Sequence, residues 1–177
     1  MRKLLIFVIE SKSEKENSDG IYLKETLEHF YEYDKMNTLI KFVFMNGKGN
    51  YDKKSVVKKI EDFVKQAKAV NKDTQEKVFY MFDKDETVAS NADVIFNKTV
   101  SDYCVQKGYD IIWMNKNVED VYLGNEIDGK LKVREAAKFK NNKVITSVDI
   151  KKLSRKGADL RHTSNILLEL DKVLSRK

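Results

Sequence analysis

Two short, unbroken apolar runs, each stopped by an acid, constrain this chain more than anything else in it. Leu4–Ile9 reads LLIFVI and halts at Glu10; Lys77–Phe82 reads KVFYMF and halts at Asp83-Lys84-Asp85-Glu86. A strand that is apolar along its length has no face to offer water, so it belongs inside a parallel sheet covered on both sides. Leu39–Met45 (LIKFVFM) and Tyr109–Met114 (YDIIWM) fit the same role. Between the runs, apolar residues recur at helical spacing. Leu23, Leu27, Phe30 and Tyr31 follow a cap at Ser18 or Asp19, and Val56, Val57, Ile60, Phe63, Val64 and Ala67 share one face of Lys54–Val70. A third helix is expected over Ser90–Lys107.

The order βαβαβαβα predicts an α/β fold: an open, mainly parallel, Rossmann-like sheet of four strands, with right-handed crossovers and helices on both faces. After the fourth strand Asn115 leads into a short helix carrying Glu119 and Asp120. Beyond Gly129 the pattern is more charged. Lys143–Val148 (KVITSV) reads as an edge strand, and Ile166, Leu167, Leu170, Val173 and Leu174 mark a final helix. At 177 residues the chain is expected to form one domain, with a core over residues 1–125 and a basic, helical C-terminal extension over 130–177 docked on the sheet.

Composition narrows the chemistry. One cysteine, Cys104, cannot form an internal disulfide, and His29 and His162 are the only histidines, so zinc and thiol chemistry are disfavoured. The apolar run behind Met-Arg-Lys is too short for a signal peptide or a membrane span, and a soluble, cytoplasmic protein is expected. The net charge of +6 is unevenly spread: residues 1–129 carry 20 Lys/Arg against 23 Asp/Glu, residues 130–177 carry 14 against 5. A balance of −3 thus precedes one of +9. A cationic surface beside an acidic site suits a polyanion, and Lys151, Lys152, Arg155, Lys156 and Arg161 are the candidate nucleic-acid contacts.

In an open parallel sheet, ligands bind beyond the carboxyl ends of the strands, where successive connections depart to opposite faces. Strands one and three are the expected neighbours there, about 4.8 Å apart. Glu10 and Asp83 would then share a cation, with Asp85 returning to the same side by the two-residue period. Three oxygen ligands without thiol or imidazole select Mg²⁺ or Mn²⁺, which polarises a phosphoryl oxygen and activates water. Glu14, four residues after Glu10, and Glu119, beyond strand four, are further candidates for catalysis. Glu86 reads as a helix-terminal charge, Gly47-Lys48-Gly49 as a turn, and Trp113 and Cys104 as packing.

These pieces resemble the Toprim nucleases of the OLD and RloB-like group, associated with bacterial defence against phage. Val8-Ile9-Glu10-Ser11-Lys12-Ser13-Glu14 is similar to that group's V-x-E-G-x-x-E. Phe82-Asp83-Lys84-Asp85-Glu86 is similar to its F-D-x-D, and Asn115-Lys116-Asn117-Val118-Glu119 to the RloB-type S-N-P-x-F-E. Ser11 stands where the group has glycine, and the proline of the third piece is missing. The resemblance spans residues 4 to 125. It implies metal ligation by Glu10, Asp83 and Asp85, and a role for Glu10 as general acid or base. OLD-type nucleases work beside an ATPase; this chain has no G-x-x-x-x-G-K-[ST], so the resemblance implies a nuclease acting alone or with a separate ATPase subunit. Two other functions use the same pattern: an aspartate phosphoacceptor or phosphatase with its nucleophile ending strand three, and a non-catalytic module binding nucleic acid or protein through the basic extension.

Overall fold

Every residue of Leu4–Ile9 is buried, and alternate side chains enter two separate cores. Leu5, Phe7 and Ile9 join one, Leu4, Ile6 and Val8 the other. This is what the two-residue period of a strand demands when both faces are covered. The computed structural model describes residues 2–84, 91–156 and 160–177. Its first half comprises β1 (Lys3–Ile9), α1 (Ser18–Phe30), β2 (Tyr31–Glu32), β3 (Thr38–Phe44), α2 (Lys54–Val70), β4 (Gln75–Asp83) and α3 (Asn91–Lys107). There follow β5 (Asp110–Met114), α4 (Val118–Leu123), α5 (Lys132–Asn141), α6 (Ile150–Leu153), α7 (Ile166–Leu170) and β6 (Ser175–Arg176).

The main sheet is parallel throughout, in the order β3-β1-β4-β5. The chain steps from β1 to one neighbour, β3, and then back across to the other, β4. The connecting helices divide accordingly: α2 and α3 pack through Val56, Ile60, Ala67, Val100 and Cys104 on one face. The other face carries α1 through Tyr22, Leu23, Leu27 and Phe30, together with residues of α4 to α7. The reversal of direction falls between β1 and β4, which pair Phe7 with Phe79 in register and stack their rings at 5.1 Å.

Helix α1 begins where Asn17 accepts a hydrogen bond from the Gly20 N–H at 2.6 Å, satisfying one of the free amides of the first turn. A β-carbon at Gly20 would lie 2.2 Å from that amide side chain, so only glycine fits beneath this cap. Neither Ser18 nor Asp19 is the cap, which leaves Asp19 available for another use.

The C-terminal quarter departs from expectation in three places. Lys143–Val148 is not an edge strand: Lys143 is left-handed (φ 52°), Val144–Ser147 forms a 3-10 turn, and Ile145 drops into the core beside α1 and α5. The final helix is only Ile166–Leu170, because Asp171–Leu174 form turns that lead into β6. Strand β6 pairs antiparallel with β2, a second small sheet at the end of α1. Ala136, Phe139, Leu153 and Leu167 nonetheless enter the same core as the first strand, so the segment after Gly129 docks on the sheet. Among the described residues no helix is long and apolar enough to cross a membrane.

Candidate active site

The carboxyl ends of β1 and β4 meet where the topology reverses. The Asp83 backbone N–H donates to Glu10 Oε1 at 2.9 Å, so the glutamate reaches across the gap between the strands. The loop after β3 closes the same edge: Gly47 N donates to the Glu10 carbonyl at 2.9 Å, with Gly47 and Asn46 at φ 99° and 55°. An open cleft of about 420 Å³ lies here, lined by Glu10, Ser11, Asp19, Asn46, Asp83 and Lys132 among others.

Asp19 was not legible as a site residue. A helix-start acid ordinarily serves the helix itself, but with Asn17 as the cap its carboxylate turns to Ser11, whose hydroxyl donates to Oδ2 at 2.9 Å. Lys132, at the start of α5, was also missed, since no motif marks it. Its ammonium lies 3.0 Å from Oε2 of Glu119, whose side chain is wholly buried. Glu119 owes its position to Asn117, which caps α4 by accepting from the Asp120 N–H at 2.8 Å.

The electrostatics follow from burial first and from the neighbouring charges second. Burial, then the negative charges of Asp19 and Glu10, hold the Asp83 carboxyl well above the usual range, with Glu119 adding and Lys132 opposing. Burial also pushes Asp19 up; the Ser11 hydrogen bond and Lys132 pull it back, and Glu119 raises it further. Burial works to lower Lys132, but Glu119, Asp83 and Asp19 together raise it. Lys132 is therefore the internal counter-charge of the group. Replacing it by Met leaves Glu119 buried without its cation, and unfolding free energy in a urea melt falls by on the order of 3 kcal/mol. In a Glu119→Gln background the same replacement costs much less.

Of the expected residues, Glu10 and Asp83 come together, and Glu119 approaches them through Lys132. Asp85 and Glu86 lie outside the described residues. Glu14 is exposed in a short 3-10 turn and lines a different groove, with Lys24, Phe42 and Phe63. Among the described residues, no three His, Cys, Asp or Glu side chains stand gathered as a ready metal site. Cys104 is buried against the α3 face of the sheet, its thiol pushed up to about 12, and Trp113 tilts against Phe82.

The basic extension reaches the same edge. Ser164 bridges Met114, the last residue of β5, and Met114 is the register partner of Asp83. Ser164 N donates to the Lys152 carbonyl, and Arg155 N to the Ser164 carbonyl, at 2.7 and 2.8 Å. The exposed Lys151, Lys152, Arg155 and Lys156 are thereby anchored beside the end of β5. Arg161 is placed otherwise, 3.6 Å from Asp120 and 3.9 Å from Glu126.

No family model, curated protein or solved structure matches this chain. Any functional reading rests on the site itself.

Proposed function

We propose that the protein is a cytoplasmic, metal-dependent nuclease of Toprim type, related to the OLD and RloB-like group and serving anti-phage defence. It would hydrolyse phosphodiester bonds of DNA or RNA. The observation that carries this reading is the contact between Glu10 and the Asp83 amide at the topological switch point, in a cleft where burial and then the charges of Asp19 and Glu10 hold the Asp83 carboxyl above its usual range. A hard divalent cation, Mg²⁺ or Mn²⁺, suits this all-oxygen donor set and relieves the repulsion. Glu10 and Asp83 would hold it together with Asp85, two residues further along the sequence, while Asp19 adds its negative charge to the cleft. When bound, such an ion polarises the phosphoryl group and favours formation of the attacking hydroxide.

The chain's own residues supply the rest. Glu10 acts as general acid or base. Lys132 sets a positive charge at the rim, where negative charge grows on the phosphoryl oxygens during attack. The basic extension carries the flanking phosphates, and an ATPase, where one is used, is a separate subunit. Incubation with labelled single- and double-stranded DNA and RNA, with and without Mn²⁺, should give metal-dependent cleavage of at least one substrate. Binding without cleavage under every condition overturns the reading in favour of an interaction module.

A second reading draws on Lys132. A lysine beside an acid at the end of the third main-sheet strand is also what an aspartyl phosphate would need as counter-charge. Mass spectrometry after incubation with acetyl phosphate and Mg²⁺ separates the two, since only a phosphoacceptor gains a phosphoryl group on Asp83.

A further inference from the structure

Lys132 stands against the polarity of its own helix. It is the first residue of α5, where the free amides already carry partial positive charge, and no side chain caps that end. The acids it faces hold it there. Its ammonium lies 3.0 Å from Glu119 Oε2, and among the described residues neither oxygen of this fully buried carboxylate has another hydrogen-bond partner. On its other side Lys132 lines the open cleft with Glu10, Asp19 and Asp83. It therefore stands between the acids that solvent reaches and the one that it does not. The position is also rigid. Asp19, Glu119 and Lys132 come from α1, α4 and α5, and each of these helices gives one ring to a common cluster. Tyr22 lies 5.1 Å from Tyr122 and 4.7 Å from Phe139, and Tyr122 lies 5.6 Å from Phe139, centroid to centroid. Thr26 of α1 and the Tyr122 hydroxyl share a buried hydrogen bond. Groups carried on helices locked by packing are held more closely than groups on loops.

We propose that Lys132 takes the place of a second divalent cation, so that this cleft loads one metal ion per chain. The inference rests on the metal-dependent reading above. Sites that clamp a phosphodiester between two metals set the ions about 3.5–4 Å apart among surrounding carboxylates. Here the enclosed carboxylate behind the cleft, Glu119, already has an ammonium in front of it. An ammonium and a divalent ion cannot both stand before one buried carboxylate, because no water screens the two positive charges from each other. The ammonium is also a standing charge: burial works against it, but Glu119, Asp83 and Asp19 outweigh burial. One tethered cation and one exchangeable ion then face the substrate, and metal loading is non-cooperative.

The test titrates Mn²⁺ alone into the full chain and follows it by electron paramagnetic resonance, which counts bound ions and shows whether their spins couple. The parent should take up one Mn²⁺ per chain, magnetically isolated, at a site that Asp83→Asn removes. Lys132→Met opens Glu119 to the cleft, and this variant should take up two ions close enough to couple. Adding Glu119→Gln to that variant should return the count to one. Circular dichroism checks each fold. Lys132→Gln, which keeps a donor for Glu119 but not the charge, serves for the same count if the methionine variant unfolds. Two coupled ions in the parent, or a single ion in a folded Lys132 variant, overturn the proposal and leave the nuclease reading standing. A parent that binds no Mn²⁺ overturns the metal-dependent reading itself, and this inference with it.

Discussion

Asp83→Asn should leave the protein folded, more stable at neutral pH than its parent, and without metal-dependent cleavage. The loss of activity should exceed the 10–100-fold attached to residues that merely orient a metal ligand, because a ligand itself is removed. The gain in stability follows from the direction in which the carboxyl is displaced. A group held well above its ordinary value binds its proton more tightly in the folded chain than in the unfolded one. Stability therefore declines as pH rises from about 4 toward the folded-state value, and the penalty is fully present above it. Asparagine carries no charge to be penalised, and the hydrogen bond to Glu10 survives because its donor is the backbone amide of residue 83. Thermal melts at neutral pH should show a midpoint about 2–4 °C higher for each kcal/mol relieved, and the difference should close below about pH 4. An unchanged metal affinity by calorimetry, or a lowered melting point at neutral pH, overturns the assignment.

Reversing Lys151, Lys152 and Lys156 to glutamate should weaken nucleic-acid binding uniformly across sequences. Acids that gather a cation repel a polyanion, and compensating charge has to lie within a Debye length of about 8 Å to matter. The anchoring of this segment through Ser164 to the last residue of β5 places it at that edge. Each phosphate contact contributes about 0.9 to the slope of log affinity against log salt. Three lost contacts then flatten the slope by about 2.7, which shrinks the ratio of affinities at 50 and 200 mM salt by about 40-fold. A variant that keeps both its affinity and its slope would show these lysines to be ordinary solvated surface.

The sheet was legible because its signal is redundant. Leu4–Ile9 and Lys77–Phe82 are apolar at nearly every position, and such runs have one stable home between two layers of helices. The acids that end them were legible for the same reason, since a charge that stops a buried strand marks the strand's exit from the sheet. Lys143–Val148 misled because β-branched residues in a short run carry no period long enough to separate a strand from a turn. Ile145 alone is buried there, and the left-handed Lys143 breaks extension before it begins. Helix α5 went unassigned because only Ala136 and Phe139 of its ten residues are buried, too few to draw a stripe. Asp19 and Lys132 were missed for a different reason. Their roles arise from contacts with Ser11 and Glu119, and one chain's local spacing records no such pairing.

The small β2–β6 sheet has a consequence for how the molecule is assembled. Tyr31 pairs with Arg176, its hydroxyl donates to Asp171, and Lys177 N donates to the Phe30 carbonyl. The end of α1 thus completes its bonding with residues some 140 positions downstream. Closing a loop of that length is entropically costly and forms late. During synthesis, the partner of Tyr31 does not exist until residue 176 has left the ribosome. Until then β2 is a bare strand edge, the feature most open to pairing with another chain. The nascent protein is therefore most exposed to misassembly in the interval before this clasp shuts.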